Sequence, residues 1–86
     1  MPEISRFFGI VIRMFYADHQ PAHFHASYGK NHVKIRIDTM SVIDGELPSR
    51  ALGLVIEWSA LHQKELLECW NHAEESLPLD KIAPLE

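Results

Sequence analysis

Four of the chain's six histidines stand between Asp18 and Asp38, and three of them, His19, His23 and His25, fall within seven residues. Imidazole both ligates divalent metals and exchanges protons near neutral pH, so this crowding suits either chemistry. His23 and His25 are two apart, which on a strand puts them on one face, where they can share an ion. A loop residue, His19 or Asp18, supplies a third ligand and leaves one position open, as catalytic zinc sites do. The candidate metal ligands are therefore His19, His23 and His25, with zinc or another divalent ion as the cofactor. The plainer alternative is a polar strand face on which one imidazole caps the turn at Pro21.

The same residues suit acid–base work on an anion. If His23 lies opposite Asp38, the carboxylate fixes the tautomer of the imidazole, so His23, His25 and Asp38 are the candidate catalytic groups. Arg13, His25, Lys34 and Arg36 are the candidate binding set for a phosphate, for which arginine is well shaped. A small nuclease needs little more than a base, an acid and a cation at the phosphate. The competing structural reading is a solvated strand face whose charges keep an edge from pairing with other chains.

Strands must carry these side chains. Ile10 to Tyr16 (IVIRMFY) is rich in β-branched and aromatic residues and reads as a strand buried on both sides, with Arg13 its only charge. His23 to Tyr28 alternates polar and apolar residues, and His32 to Ile37 alternates strictly, with Val33, Ile35 and Ile37 on one face. Gly29-Lys30-Asn31 between them reads as a hairpin loop. The predicted register pairs Tyr28 with Val33, Ala26 with Ile35 and Phe24 with Ile37, which sets His25 beside Arg36 and His23 beside Asp38. A fourth strand is predicted around Ser41 to Ile43, before an Asp44-Gly45 turn.

From Ser49, a candidate N-cap, apolar residues recur at steps of three and four: Leu52, Val55, Ser59, His62, Leu66, Cys69 and Ala73. One helix to Ser76 or two with a break near Leu61 to Gln63 both fit, and Pro78 begins an extended tail. The fold class is α+β: a small antiparallel sheet of three to four strands (residues 1–45), then a helical half (49–76) covering one face, then the tail (77–86). The chain is expected to form a single domain, because 86 residues leave too little length for a second core.

Other features favour packing. In SRFFG (Ser5–Gly9) the aromatics could stack bases, but they read better as core under the helix. Trp58 and Trp70 read as core anchors ahead of a partner groove. Cys69 with His72 is half of a soft-metal site at most, and a single cysteine in the apolar stripe reads as a small buried hydrophobe. Glycine-rich phosphate loops and Ser-His-Asp or Cys-His signatures are missing, which removes kinase, dinucleotide and triad-hydrolase readings.

Composition bounds the rest. With 47% hydrophobic and 23% charged residues the sequence is that of a globular chain, and one cysteine excludes a disulfide framework. Without a membrane-length apolar run or a signal-peptide pattern, a cytoplasmic location is the expectation. The net charge is −4, but residues 1–43 carry +2 and residues 44–86 carry −6. The first half suits an anion and the second a basic partner, while the overall acidity argues against nonspecific nucleic-acid binding.

ISRFFGIVIRM followed by HxxPxHFH (here His19, Pro21, His23, Phe24 and His25), with the ending LHQKELLECWNHA…PLDKIAPL, resembles the small bacterial domain of unknown function numbered 4160. The resemblance implies a compact bacterial cytosolic protein, carries no activity to transfer, and implies a small protein partner encoded nearby, in a toxin–antitoxin-like arrangement. Two functions follow as expectations. The first is a module that binds such a partner, or RNA, through the His/Lys/Arg face, with a homodimer through an open strand edge as a further expectation. The second is a small hydrolase or nuclease, metal-dependent or not, built on His19, His23 and His25.

Overall fold

A computed structural model describes residues 2–86. Chain order is β1 (Glu3–Phe7), β2 (Ile10–Arg13), β3 (His23–Tyr28), β4 (Asn31–Arg36), β5 (Val42–Gly45), α1 (Ser49–Leu61) and α2 (Gln63–Glu74). The strands form one antiparallel sheet in sequence order, followed by the two helices, so the fold is α+β with five strands rather than three or four.

The additional strand is β1. Phe8 (φ 48) and Gly9 (φ 79) are the central residues of a two-residue turn that pairs Phe7 with Ile10, the positive-φ geometry tight hairpins need. Phe7 joins the core 5.4 Å from the Trp58 ring, as predicted, whereas the turn leaves Phe8 59% exposed. In β2 and the residue after it, Ile10, Ile12 and Met14 are buried while Val11 and Arg13 are half-buried. The predicted two-sided burial is thus corrected: only one face carries core.

The hairpin between β3 and β4 is also corrected. Its loop is two residues, Gly29 (φ 59) and Lys30, so Tyr28 pairs with Asn31, Ala26 with Val33, Phe24 with Ile35, His25 with Lys34 and His23 with Arg36. The shift of two residues keeps every side chain on its predicted face, because side chains alternate with period two, but it changes each polar neighbour. Strand β5 runs through Gly45, where φ is 80 and a side chain would collide with the His32 carbonyl oxygen.

Helix α1 lays Ala51, Val55 and Trp58 onto the buried sheet residues, with the Trp58 ring 6.0 Å from Phe24. Burying a ring of this size is worth several kcal/mol, and truncation of such a residue to alanine costs about 3–5 kcal/mol. Pro48 rather than Ser49 occupies the N-cap, and no side chain caps the helix. The helical half is two helices, broken at His62 (φ −121, ψ 23), whose ring packs on Trp58 and bonds Glu65 at 2.6 Å.

Helix α2 starts at the end of β4, where Gln63 Nε2 donates to the carbonyls of Ile37 and Asp38. That is also the end where β3 begins, so α2 closes the sheet beside His23. Residues 77–86 are irregular but anchored. Ile82 is buried, its N–H donates to the Ile4 carbonyl at 2.7 Å, and Trp58 Nε1 donates to the Ala83 carbonyl at 2.8 Å. The tail thereby covers the β1 edge, while β5 at the opposite edge is exposed along its length.

Candidate metal centre

His23 and His25 open β3, where the strand period sends both away from the Phe24–Ala26 face. Their surroundings differ. His23 is only 4% exposed, walled by the Trp70 ring of α2 at 5.3 Å and the His25 ring at 5.1 Å. His25 is half-buried, with Phe15 edge-on at 4.3 Å.

The third member comes from the loop between β2 and β3. Asp18 Oδ1 accepts the His19 N–H at 2.8 Å, while Oδ2 stands 3.0 Å from His23 Nε2 and 3.3 Å from His25 Nε2. The three donor atoms all lie within 4.8 Å of one another. Ligands about 2.0–2.1 Å from a tetrahedral zinc ion stand roughly 3.3 Å apart, and the two Asp18–imidazole separations are near that spacing.

The orientation of His23 matters most. Its Nδ1 lies 2.7 Å from the Pro21 carbonyl oxygen, which can only accept, so the proton is on Nδ1. The imidazole does cap the Pro21 turn, and the same bond fixes the tautomer that frees Nε2 for a metal, the usual outer partner of a ligating histidine. Nε2 is buried and makes no hydrogen bond, even though Asp18 Oδ2 is 3.0 Å away. The pair is within ion-pair distance but not aligned for a hydrogen bond, whereas His25 Nε2 does bond the same carboxylate oxygen. A buried unpaired nitrogen costs about 1–3 kcal/mol, a cost that a cation bound to it removes.

The electrostatics agree. For Asp18, partial burial works to raise the pKa, but the His19 N–H, the His25 hydrogen bond and the neighbouring imidazole charges outweigh it, and the carboxyl lies below its ordinary value. For His25, burial pushes the pKa down; the Asp18 bond opposes this, and the His23 and Lys34 charges reinforce it. The carboxylate is ionised and the His25 imidazole uncharged near pH 7; since Asp18 Oδ2 only accepts, His25 Nε2 carries the proton in their hydrogen bond, and a metal ion binding there would take that proton's place while the ring keeps its other proton on Nδ1.

The structure redistributes the other candidates. Of the two loop residues offered as third ligand, Asp18 and not His19 joins the cluster: His19 is exposed and contributes its backbone N–H to the Asp18 carboxylate. Asp38 does not face His23. It lies beyond β4 in a two-bonded pair with Arg36 at 2.7 and 2.8 Å, because the shorter hairpin places Arg36 opposite His23. Arg13 and Lys34 are the direct neighbours of His25 on β2 and β4. Cys69 is buried beside the Asp80 carbonyl and its thiol is pushed up to about 11 by burial, so it belongs to the core, as predicted. The wall formed by Trp70 was not foreseen, since it depends on where α2 docks. The loop that carries Asp18 did have a sequence signal, the turn-forming residues Asp18 to Pro21.

A family model described as Domain of unknown function (DUF4160) matches residues 9–71. The chain belongs to that family. The match spans β2 through most of α2 and includes Asp18, His23 and His25, so the whole centre lies within the DUF4160 region. No curated protein and no solved structure matches the chain. No helix among the described residues is long and apolar enough to cross a membrane.

Proposed function

We propose that this DUF4160 chain is a small divalent-metal hydrolase in which Asp18, His23 and His25 hold one ion. The observation that carries the reading is the buried, unpaired Nε2 of His23, oriented by Pro21 and aimed into a cluster with a carboxylate and a second imidazole. Two histidines and one carboxylate are a donor set that zinc and iron(II) both accept, and three protein ligands leave room for water and substrate. A bound ion of this kind makes water a nucleophile near neutral pH. In the net reaction one water is consumed, its oxygen ends on the electrophilic atom, and its proton leaves with the departing group.

The protein's own residues set the conditions. Trp70 and the strand bury His23 and keep its ring in place, and Pro21 holds its tautomer. Partly exposed Asp18 and His25 form the open side, through which a substrate enters.

The test is elemental analysis of untagged protein purified without chelator and then offered zinc, manganese or iron(II), with excess removed. About one equivalent of metal in the wild type, lost in the His23→Ala, His25→Ala double variant, supports the centre. Folded wild-type protein that retains no metal overturns it.

A second reading, docking on a small protein partner in a toxin–antitoxin-like pair, is supported by the unequal sheet edges. The tail covers β1, whereas β5, the last strand of the sheet among the described residues, leaves Val42 and Ile43 each 44% exposed, a template for strand addition. Capture of a specific small protein from the native host, abolished by Val42→Lys, would support it; unchanged capture by that variant would remove β5 from the interaction.

A further inference from the structure

We propose that Arg13 and Lys34 form an anion subsite beside the Asp18/His23/His25 centre, and that it takes a phosphate group borne by the substrate. The inference rests on the metal reading above and adds the substrate class.

Arg13, His25 and Lys34 are direct partners across β2, β3 and β4. Directly opposed residues share a face, so a basic residue roots on each side of the ligand, its backbone one strand spacing of about 4.8 Å away. Both positions are half-buried, where a charge is less screened than in open water.

The two cations are also unspent. Arg6 is held by Glu3 at 2.7 Å and Arg36 by Asp38 at 2.7 Å. Among the described residues neither Arg13 nor Lys34 has a carboxylate within salt-bridge distance, although each has an acidic cross-strand neighbour. Glu3, opposite Arg13, is turned to Arg6, and Asp44, opposite Lys34, accepts the Gly45 N–H. The nearest polar contact of Arg13 is a long one, 3.5 Å to Ser27 Oγ.

The donor count selects phosphate. A guanidinium fork addresses two oxygens, an ammonium a third, and an open metal position a fourth, which suits a tetrahedral oxyanion. A carboxylate has two oxygens and would leave a cation unmatched. Counting a divalent ion, Arg13 and Lys34 against Asp18, Glu3 and Asp44, the site keeps a net positive charge that draws an anion.

The experiment titrates zinc-loaded protein with inorganic phosphate by calorimetry and measures zinc content on the same samples. Wild type, Arg13→Gln, Lys34→Gln and the double variant are compared, the single amide replacements guarding against loss of fold. All four are expected to hold about one zinc, with phosphate affinity falling about tenfold or more in the double variant. Equal phosphate affinity with zinc in place, or no phosphate binding by the zinc-loaded wild type, overturns the subsite while the metal reading stands. A wild type that holds no zinc overturns both.

Discussion

His23 Nε2 lies 3.0 Å from Asp18 Oδ2 without bonding to it, while Nδ1 on the same ring is tied to the Pro21 carbonyl at 2.7 Å. One side of the imidazole is fixed and the other is left facing a carboxylate in a buried place. The arrangement is costly for a residue that only fills space and useful for one that must present a lone pair.

Asp18→Ala should therefore weaken zinc binding by more than about 100-fold, since a ligand should matter at least as much as the outer partners whose loss costs 10–100-fold. His19→Ala should change it less than about threefold, because His19 contributes a backbone N–H that alanine also carries. Competition titration against a chelator of known affinity measures both. Comparable losses in the two variants would return His19 to the ligand set.

The metal-free protein should lose stability as pH falls through and below about 6.5. Burial holds the His25 pKa under its ordinary value, so between the two values the unfolded chain binds more protons than the native one. The associated stability is fully present above the unfolded value of 6.5 and is lost as pH falls toward the folded value. Urea midpoints of wild type and His25→Gln, compared at pH 7.5 and 5.0, isolate this contribution. The wild type should show the larger drop.

Ile82→Ala should destabilise the fold by about 2–4 kcal/mol, the usual cost of truncating a buried isoleucine, although Ile82 lies in a segment without regular structure. Deleting residues 80–86 should cost at least as much, since it also strips the Trp58 indole of its acceptor and uncovers β1. Chemical denaturation checks both. A cost below about 0.5 kcal/mol would show the tail to be loosely attached.

Cys69 should resist thiol reagents at pH 8 in the folded protein. Its side chain is buried and its thiol is pushed up to about 11, so little thiolate is present and less is reachable. Reaction with a disulfide dye should be slow in buffer and complete within minutes in denaturant. Rapid reaction in buffer would mean that α2 opens readily.

The alternation of Val33, Ile35 and Ile37 with His32, Lys34 and Arg36 was enough, read alone, to assign the faces of β4, because strand side chains alternate whatever the neighbours are. The three- and four-residue spacing after Ser49 likewise marked the helical half and placed Cys69, Trp58 and Trp70 in the core. In β3 the HFH triplet placed two imidazoles on one side of the sheet. These are local periodicities, and local geometry enforces them.

Contacts between distant segments required the folded chain. A turn of two residues, where the predicted pairing of Tyr28 with Val33 encloses four, moved Arg36 opposite His23 and left Asp38 paired with Arg36, since register depends on turn geometry and both options satisfy the same alternation. Strand β1 formed because Phe8 accepts a positive φ, which its residue type disfavours. The choice of Asp18 over His19 was made by one backbone hydrogen bond in a loop, and the burial of His23 by Trp70 from a helix 47 positions along the chain. The sequence by itself determined which residue types crowd together near the start of β3; tertiary structure alone decided which donors converge, because convergence depends on loop conformation and helix docking, which no single period encodes.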